Sequence, residues 1–162
     1  MIRVIPFLLY LWLAAAHQVF LGDITSIAGA VINLPALLVL LVSLYKSELD
    51  TCWFAFFIGM VAYIGYGDAT GWYILLMAAI GFGTYHVRVR INLESVYSRL
   101  VVVFIGVLVH NAVVMATAGG DGSFAILLVR VLSGAVYTSV VAWLFFLVKE
   151  GKITYQKLRA IF

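Results

Sequence analysis

Apolar residues fill six segments of the chain, and short polar loops separate them. The segments cover residues 4–21, 27–45, 51–66, 71–86, 100–118 and 124–148. Inside lipid only helices and closed barrels satisfy every backbone polar group, and apolar runs of this length predict helices. A helix needs roughly 20 apolar residues to span a bilayer core, so the third and fourth segments are short. The pattern predicts an all-α integral membrane protein whose six transmembrane helices form one compact bundle over residues 1–162.

The stretch between Gly59 and Gly71 connects the third and fourth segments. In one unbroken helix, a stripe with four-residue spacing would contain Gly59, Tyr63, Gly67 and Gly71. The Gly-Tyr-Gly-Asp sequence around Gly67 is typical of a turn and indicates a break instead. We therefore expect a helix packed closely at Gly59, a tight turn, and another helix beginning near Gly71. In the second segment, Pro35 predicts a kink or a division into two pieces.

Small residues at four-residue spacing indicate where helices approach one another closely. Three such stripes occur, in the fourth, fifth and sixth segments: Ala79–Gly83, Ala112–Ala116 and Gly134–Thr138–Ala142. They favour a compact bundle and identify no particular partner.

The charged residues predict the orientation of the bundle. With a cytoplasmic N-terminus, the outer loops hold only the acids Asp23, Asp68 and Asp121. The cytoplasmic side then holds every one of the ten basic residues except Arg130, namely Arg3, Lys46, Arg88, Arg90, Arg99, Lys149, Lys152, Lys157 and Arg159. Because Lys and Arg in short loops stay on the cytoplasmic side, both termini are predicted to be cytoplasmic. The basic tail at residues 149–162 either lies on the anionic inner leaflet or is solvated.

Composition supports the membrane interpretation. The chain is 65% hydrophobic and 10% charged, with a mean hydropathy of +1.15, whereas soluble domains are about 25% charged. The net charge of +3 does not indicate nucleic acid, because the bases lie where the membrane rule places them. The lone Cys52 excludes a disulfide within the chain.

Six polar residues inside the predicted spans form a layer on the outer side only. They are His17, Gln18, Asn33, His110, Asn111 and Arg130. Counted from the outer helix ends at 1.5 Å per residue, they lie about 5–15 Å deep. Polar side chains inside a membrane are costly, so the layer predicts either a cavity open to the outside or an interhelical network.

The individual residues of this layer leave alternatives open. Arg130 either contacts an acidic partner, a lipid phosphate or a ligand, or it snorkels to the surface or pairs with Asp121. Adjacent helix positions point about 100° apart, so only one of His110 and Asn111 is expected to face a shared site. His17 and Gln18 have the character of ordinary interface residues. Asn33 is placed to satisfy carbonyls freed by a kink at the neighbouring proline.

Motifs for catalysis are missing. The chain has no nucleophile elbow, no Walker loop and no His-Glu-x-x-His zinc motif. The three outer aspartates lie in separate Gly-containing loops, as turn residues do. We expect no enzyme activity, no catalytic residues, no metal site and no cofactor.

The number of segments and the glycine spacing resemble those of the bacterial rod-shape-determining protein MreD family. The motif is carried by Gly59, Gly67 and Thr70-Gly71, and upstream by Asn33-Leu34-Pro35-Ala36-Leu37-Leu38. The resemblance covers about residues 34–82. The chain departs from the family at Tyr63, where an acid usually stands.

This resemblance implies a non-enzymatic scaffold of the cell-elongation machinery in the bacterial cytoplasmic (inner) membrane. Such a protein would bind the single-span protein MreC through helix faces, and through it MreB filaments, RodA and a class B penicillin-binding protein. The family is also similar to the S components of energy-coupling-factor vitamin transporters. The alternative function is therefore that of an S component, with an outward-facing polar pocket that captures a small molecule.

Overall fold

The computed structural model describes residues 4–21, 30–91, 93–117 and 124–151. Over these residues the protein is all-helical, as predicted. The six helices are α1 (Val4–Ala16), α2 (Leu34–Tyr45), α3 (Glu48–Tyr63), α4 (Thr70–Arg90), α5 (Val96–Thr117) and α6 (Phe124–Lys149). A π-helical turn, His17–Leu21, extends α1, and a short 3-10 turn, Gly67–Ala69, precedes α4. The outer loops with Asp23 and Asp121, and the basic tail from residue 152, lie outside the described residues.

Helix α2 is the centre of the bundle. Every side chain from Pro35 to Leu44 is buried, and α1, α3, α4, α5 and α6 all contact this helix. A helix that is apolar all round must be enclosed by other helices or lipid, and here the other helices enclose it.

The start of α2 differs from the prediction. The helix begins at Leu34 rather than residue 27, and residues 31–33 are not helical. Pro35 lies in the first turn, where no backbone N–H needs an intrahelical acceptor, so it neither kinks nor divides the helix. Asn33 is the N-cap, and its side-chain oxygen accepts the Ala36 N–H at 3.1 Å.

Helices α3 and α4 form a hairpin that breaks where the glycine pattern predicted. Gly59 lets the helices approach so closely that a β-carbon there would lie 3.0 Å from the Cα of Ile74. In the turn, Gly67 adopts a φ of +57°, which favours glycine. The Thr70 hydroxyl then donates to the Tyr63 carbonyl at 2.8 Å, which joins the start of α4 to the end of α3.

The predicted lengths of these two helices were only partly right. Helix α3 has 16 residues, which is short for a span, but α4 has 21 and extends past His86 to Arg90. At 1.5 Å per residue, α4 is about 31 Å long. Its last turn is helical although it contains Arg88 and Arg90. The Arg88 guanidinium lies 4.8 Å from the centre of the Tyr85 ring.

Two of the described helices are long and apolar enough to cross a membrane by length and composition. They are α5 and the part of α6 from Leu128 to Lys149, and they pack against each other. Of the three small-residue stripes, the one with Gly134, Thr138 and Ala142 in α6 is buried. The stripes ending at Gly83 and Ala116 are exposed, so they do not take part in packing within the chain.

Arg99 holds together the end of the bundle predicted to be cytoplasmic. Its guanidinium donates to the Leu93 carbonyl at 2.8 Å and the Glu94 carbonyl at 2.9 Å. It also bonds the Tyr45 hydroxyl and forms an ion pair with Glu150, both at 3.3 Å. Arg99 therefore joins the α4–α5 connection to the ends of α2 and α6.

Replacing Gly59 with alanine should destabilise the protein, because its new methyl group would meet backbone at 3.0 Å. Overpacking of this kind costs about 1–3 kcal/mol. We expect Gly59→Ala to lower the melting temperature in detergent, as measured by tryptophan fluorescence. Gly83→Ala is the matched control, since nothing lies within 4 Å of that position and alanine favours helix. Equal melting temperatures for the two variants would contradict the close α3–α4 contact.

Candidate functional site

A cavity of about 570 Å³ lies where α2 begins and α3 ends. Its walls come from the π-helical turn after α1, the strand-like residues before α2, the end of α3, and one face each of α5 and α6. All six polar residues of the predicted outer layer line it: His17, Gln18, Asn33, His110, Asn111 and Arg130. The turn with Asp68 lies at the same end of α3, which the charge rule predicts to face outward.

Asn33 bonds to three helices at once. Its backbone N–H donates to the Thr138 hydroxyl of α6 at 3.0 Å. Its side-chain oxygen caps α2, so its amide nitrogen must face the other way, toward α5. That nitrogen bonds His110 Nδ1 at 2.7 Å and Asn111 Oδ1 at 2.6 Å.

Both His110 and Asn111 therefore face the site, contrary to the expectation that only one would. The 100° between adjacent positions is bridged because both side chains converge on the two hydrogens of one amide group. The common partner, Asn33, was expected in the layer, but beside a kink; it instead lies on a non-helical segment and bonds α5.

The same geometry settles which His110 nitrogen carries the proton. Nδ1 accepts from Asn33, so in the neutral ring Nε2 is the donor, and Tyr63 Oη lies 2.9 Å from it. The Tyr63 oxygen thus accepts from histidine and keeps its own hydrogen. No acceptor for that hydrogen occurs among the described residues, and Tyr63 lines the cavity.

Tyr63 was singled out in the sequence for its place in the glycine motif, not as a cavity residue. Its ring packs against two others, with centroids 5.3 Å from Tyr66 and 4.8 Å from Tyr73. The aromatic cluster fixes the direction of the Tyr63 hydroxyl. Three tyrosines within eleven positions were the signal that could have identified this wall.

His17 has an unusual position for a polar group. It is 5% exposed and lines the cavity, yet neither ring nitrogen has a hydrogen-bond partner in the described part of the chain. It opens the π-helical turn, a local distortion that often occurs at functional sites. An interface residue would reach water, so the expectation of ordinary boundary chemistry does not describe His17.

Gln18 has a packing role that the sequence did not reveal. Its amide donates to the Ala62 carbonyl at 3.0 Å, which attaches the π-helical turn to the end of α3. That bond keeps His17 against the cavity.

Arg130 lies at the rim on α6 and is exposed. Within residues 4–21, 30–91, 93–117 and 124–151 it forms no ion pair, and none of the described lining residues is acidic. Pairing with Asp121 falls outside the described residues. Across the same ranges, no three His, Cys, Asp or Glu side chains come together as a metal site.

Comparison with known proteins found no matching family model, no similar curated protein and no similar solved structure.

The two cavity histidines should respond to substitution in opposite directions. His17→Leu removes two buried, unpaired nitrogens and should stabilise the protein by about 1–3 kcal/mol. His110→Leu leaves the Tyr63 hydroxyl and one amide hydrogen of Asn33 without the partner they have in the wild type, and should destabilise the protein by a similar amount. Melting temperatures of both variants in one detergent test this. A loss of stability in His17→Leu would mean that the His17 ring has native partners.

Proposed function

We propose that this chain is a six-span membrane protein that binds a small polar molecule in the cavity at its outer end. The observation that carries the proposal is the set of unpaired polar groups around a space of about 570 Å³. Buried polar groups in proteins are nearly always hydrogen-bonded. The two His17 nitrogens and the Tyr63 hydrogen are therefore best explained as contacts for a molecule that enters the cavity.

The exposed surface supports a lipid environment. Along α5, Val101, Ile105 and Val109 are each about half exposed, at 55%, 51% and 47%. All four tryptophans are exposed as well. A water-soluble protein rarely leaves apolar patches of this extent uncovered, whereas lipid covers them at no cost. We propose the bacterial cytoplasmic membrane as the location, with both termini in the cytoplasm.

Binding without chemistry is the form of function that this cavity favours. The polar groups at its wall hold one another in place: Asn33, His110 and Tyr63 form a chain of bonds that leaves one donor facing inward. Such a wall can recognise and orient a ligand. This is the role of a substrate-binding subunit, as in the S components to which the MreD family is similar.

Filling the cavity should abolish ligand retention. Val114 is half-buried on the cavity wall, whereas Val109, on the same helix, is exposed on the surface of the bundle. We expect native mass spectrometry of protein released gently from membranes to show a bound small molecule in wild type and Val109→Trp. Val114→Trp should lose it. Absence of any bound mass in wild type, after addition of cell extract, would contradict the proposal.

The orientation can be tested with single cysteines placed in a Cys52→Ser background. A membrane-impermeant maleimide applied to intact cells should label Asp68→Cys, in the outer turn after α3. It should label Ser47→Cys, at the start of α3, only after the cells are broken. Equal labelling of both in intact cells, or recovery of the protein in the soluble fraction, would contradict six spans.

A scaffold that binds an MreC-like protein is the second candidate. An apolar groove of about 470 Å³ between α1 and α3 favours it, because a single membrane helix packs in such a groove. Its wall includes Phe7, Leu11, Trp53 and Phe57. Trp53→Ala should then reduce crosslinking to a single-span coiled-coil protein, and Trp72→Ala, exposed on α4, should not. If no such partner is recovered, the scaffold hypothesis is wrong.

A further inference from the structure

The polar groups that face the cavity include more hydrogen-bond donors than acceptors. The Tyr63 hydroxyl keeps its hydrogen for the cavity, the His17 ring offers one donor and one acceptor, and Arg130 brings a full positive charge. The described lining residues provide no carboxylate to oppose that charge. Among these groups donors therefore outnumber acceptors, and the full charge that the described lining residues contribute is positive.

The rest of the wall is apolar. Val31, Ile32, Val114, Met115 and Val131 provide aliphatic surface between the polar groups. A small inorganic ion would leave this surface without a partner. A ligand that matches both parts has a charged head and an apolar body.

We propose that the cavity binds an organic anion, with a carboxylate or phosphate at Arg130 and an apolar body against the valine and methionine wall. The head accepts the charge-assisted bonds of the guanidinium, and His17 and Tyr63 bond polar atoms deeper in the ligand. This inference rests on the proposed function and adds the class of molecule. The anion comes either from the outer solution or from the headgroup of a membrane lipid.

The selectivity can be measured without knowing the ligand. Met115 is half-buried on the wall, so Met115→Cys in a Cys52→Ser background reports on the cavity. Two methanethiosulfonate reagents of similar size, one with a sulfonate and one with a trimethylammonium group, are reacted with the protein in neutral maltoside micelles. Rates are divided by those for a free thiol in solution.

We expect the sulfonate reagent to react about tenfold faster than the cationic reagent, because one nearby charge attracts the first and repels the second. Arg130→Gln should remove most of that preference, and Arg130→Lys should keep it. Arg88→Gln is the matched control, since it removes the same charge at the opposite end of the bundle. A preference that is absent, or that Arg130→Gln and Arg88→Gln change equally, overturns the anion inference.

Failure of the proposed function has a different signature. If neither reagent nor neutral N-ethylmaleimide reacts with Met115→Cys, the cavity admits no small molecule and the proposed function fails. If both charged reagents react equally, the cavity is accessible and only the anion inference fails.

Protection from N-ethylmaleimide distinguishes the two sources. If octanoate slows the labelling, the ligand is a soluble anion. If phosphatidylglycerol added to the micelles slows it, the ligand is a lipid headgroup. Either protection should disappear in Arg130→Gln and persist in Arg88→Gln. Protection by neither probe overturns the inference.

Discussion

The hydrogen bonds of Asn33 are the constraint on which the cavity end of the bundle depends. One residue caps α2, anchors the preceding segment to Thr138 of α6, and orients His110 and Asn111 on α5. The cap comes first in this order. Because the side-chain oxygen is committed to the Ala36 N–H, the nitrogen must face α5, and the His110 tautomer follows from that. The direction of the Tyr63 hydroxyl hydrogen is thus set, through His110 of α5, by the way α2 begins.

The two ends of the bundle differ in how far their polar side chains are paired within the protein. At the end predicted to be cytoplasmic, Arg99 bonds two carbonyls, a hydroxyl and the Glu150 carboxylate, and the Lys149 ammonium lies 2.8 Å from the centre of the Tyr45 ring. The charge of Arg99 there is balanced by Glu150. At the opposite end Arg130 has no such set of partners in the described residues, and His17 is buried without any. Arg99 therefore connects the helices at the first end, whereas described polar groups at the second keep unused bonding capacity, as the proposed binding site requires.

Much of this arrangement could be predicted from the sequence, and the reasons for the failures are physical. The break at Gly67 and the one-sided polar layer follow from local chemistry and from counting along helices. The start of α2 does not, because the apolar run of residues 27–45 carries no sign that residues 31–33 are non-helical until the Asn33 cap is recognised. The joint role of His110 and Asn111 depends on a partner 77 positions away. The helix α4 continues to Arg90 because the long Arg88 and Arg90 side chains can hold their charged ends in solvent while the backbone remains helical.

The chemistry at position 63 connects the proposed function with the resemblance in the glycine motif. An acid there would place a negative charge on the wall that His110 and Arg130 share, and Arg130 would then have a counter-charge within the cavity. The Tyr63 phenol bonds His110 equally well but adds no charge. In the proposed site it would therefore leave the positive charge of Arg130 available to an anion, and it contributes a donor as well. A cavity with the acid would favour a neutral or cationic ligand, so this single position separates two selectivities that the same six helices can support.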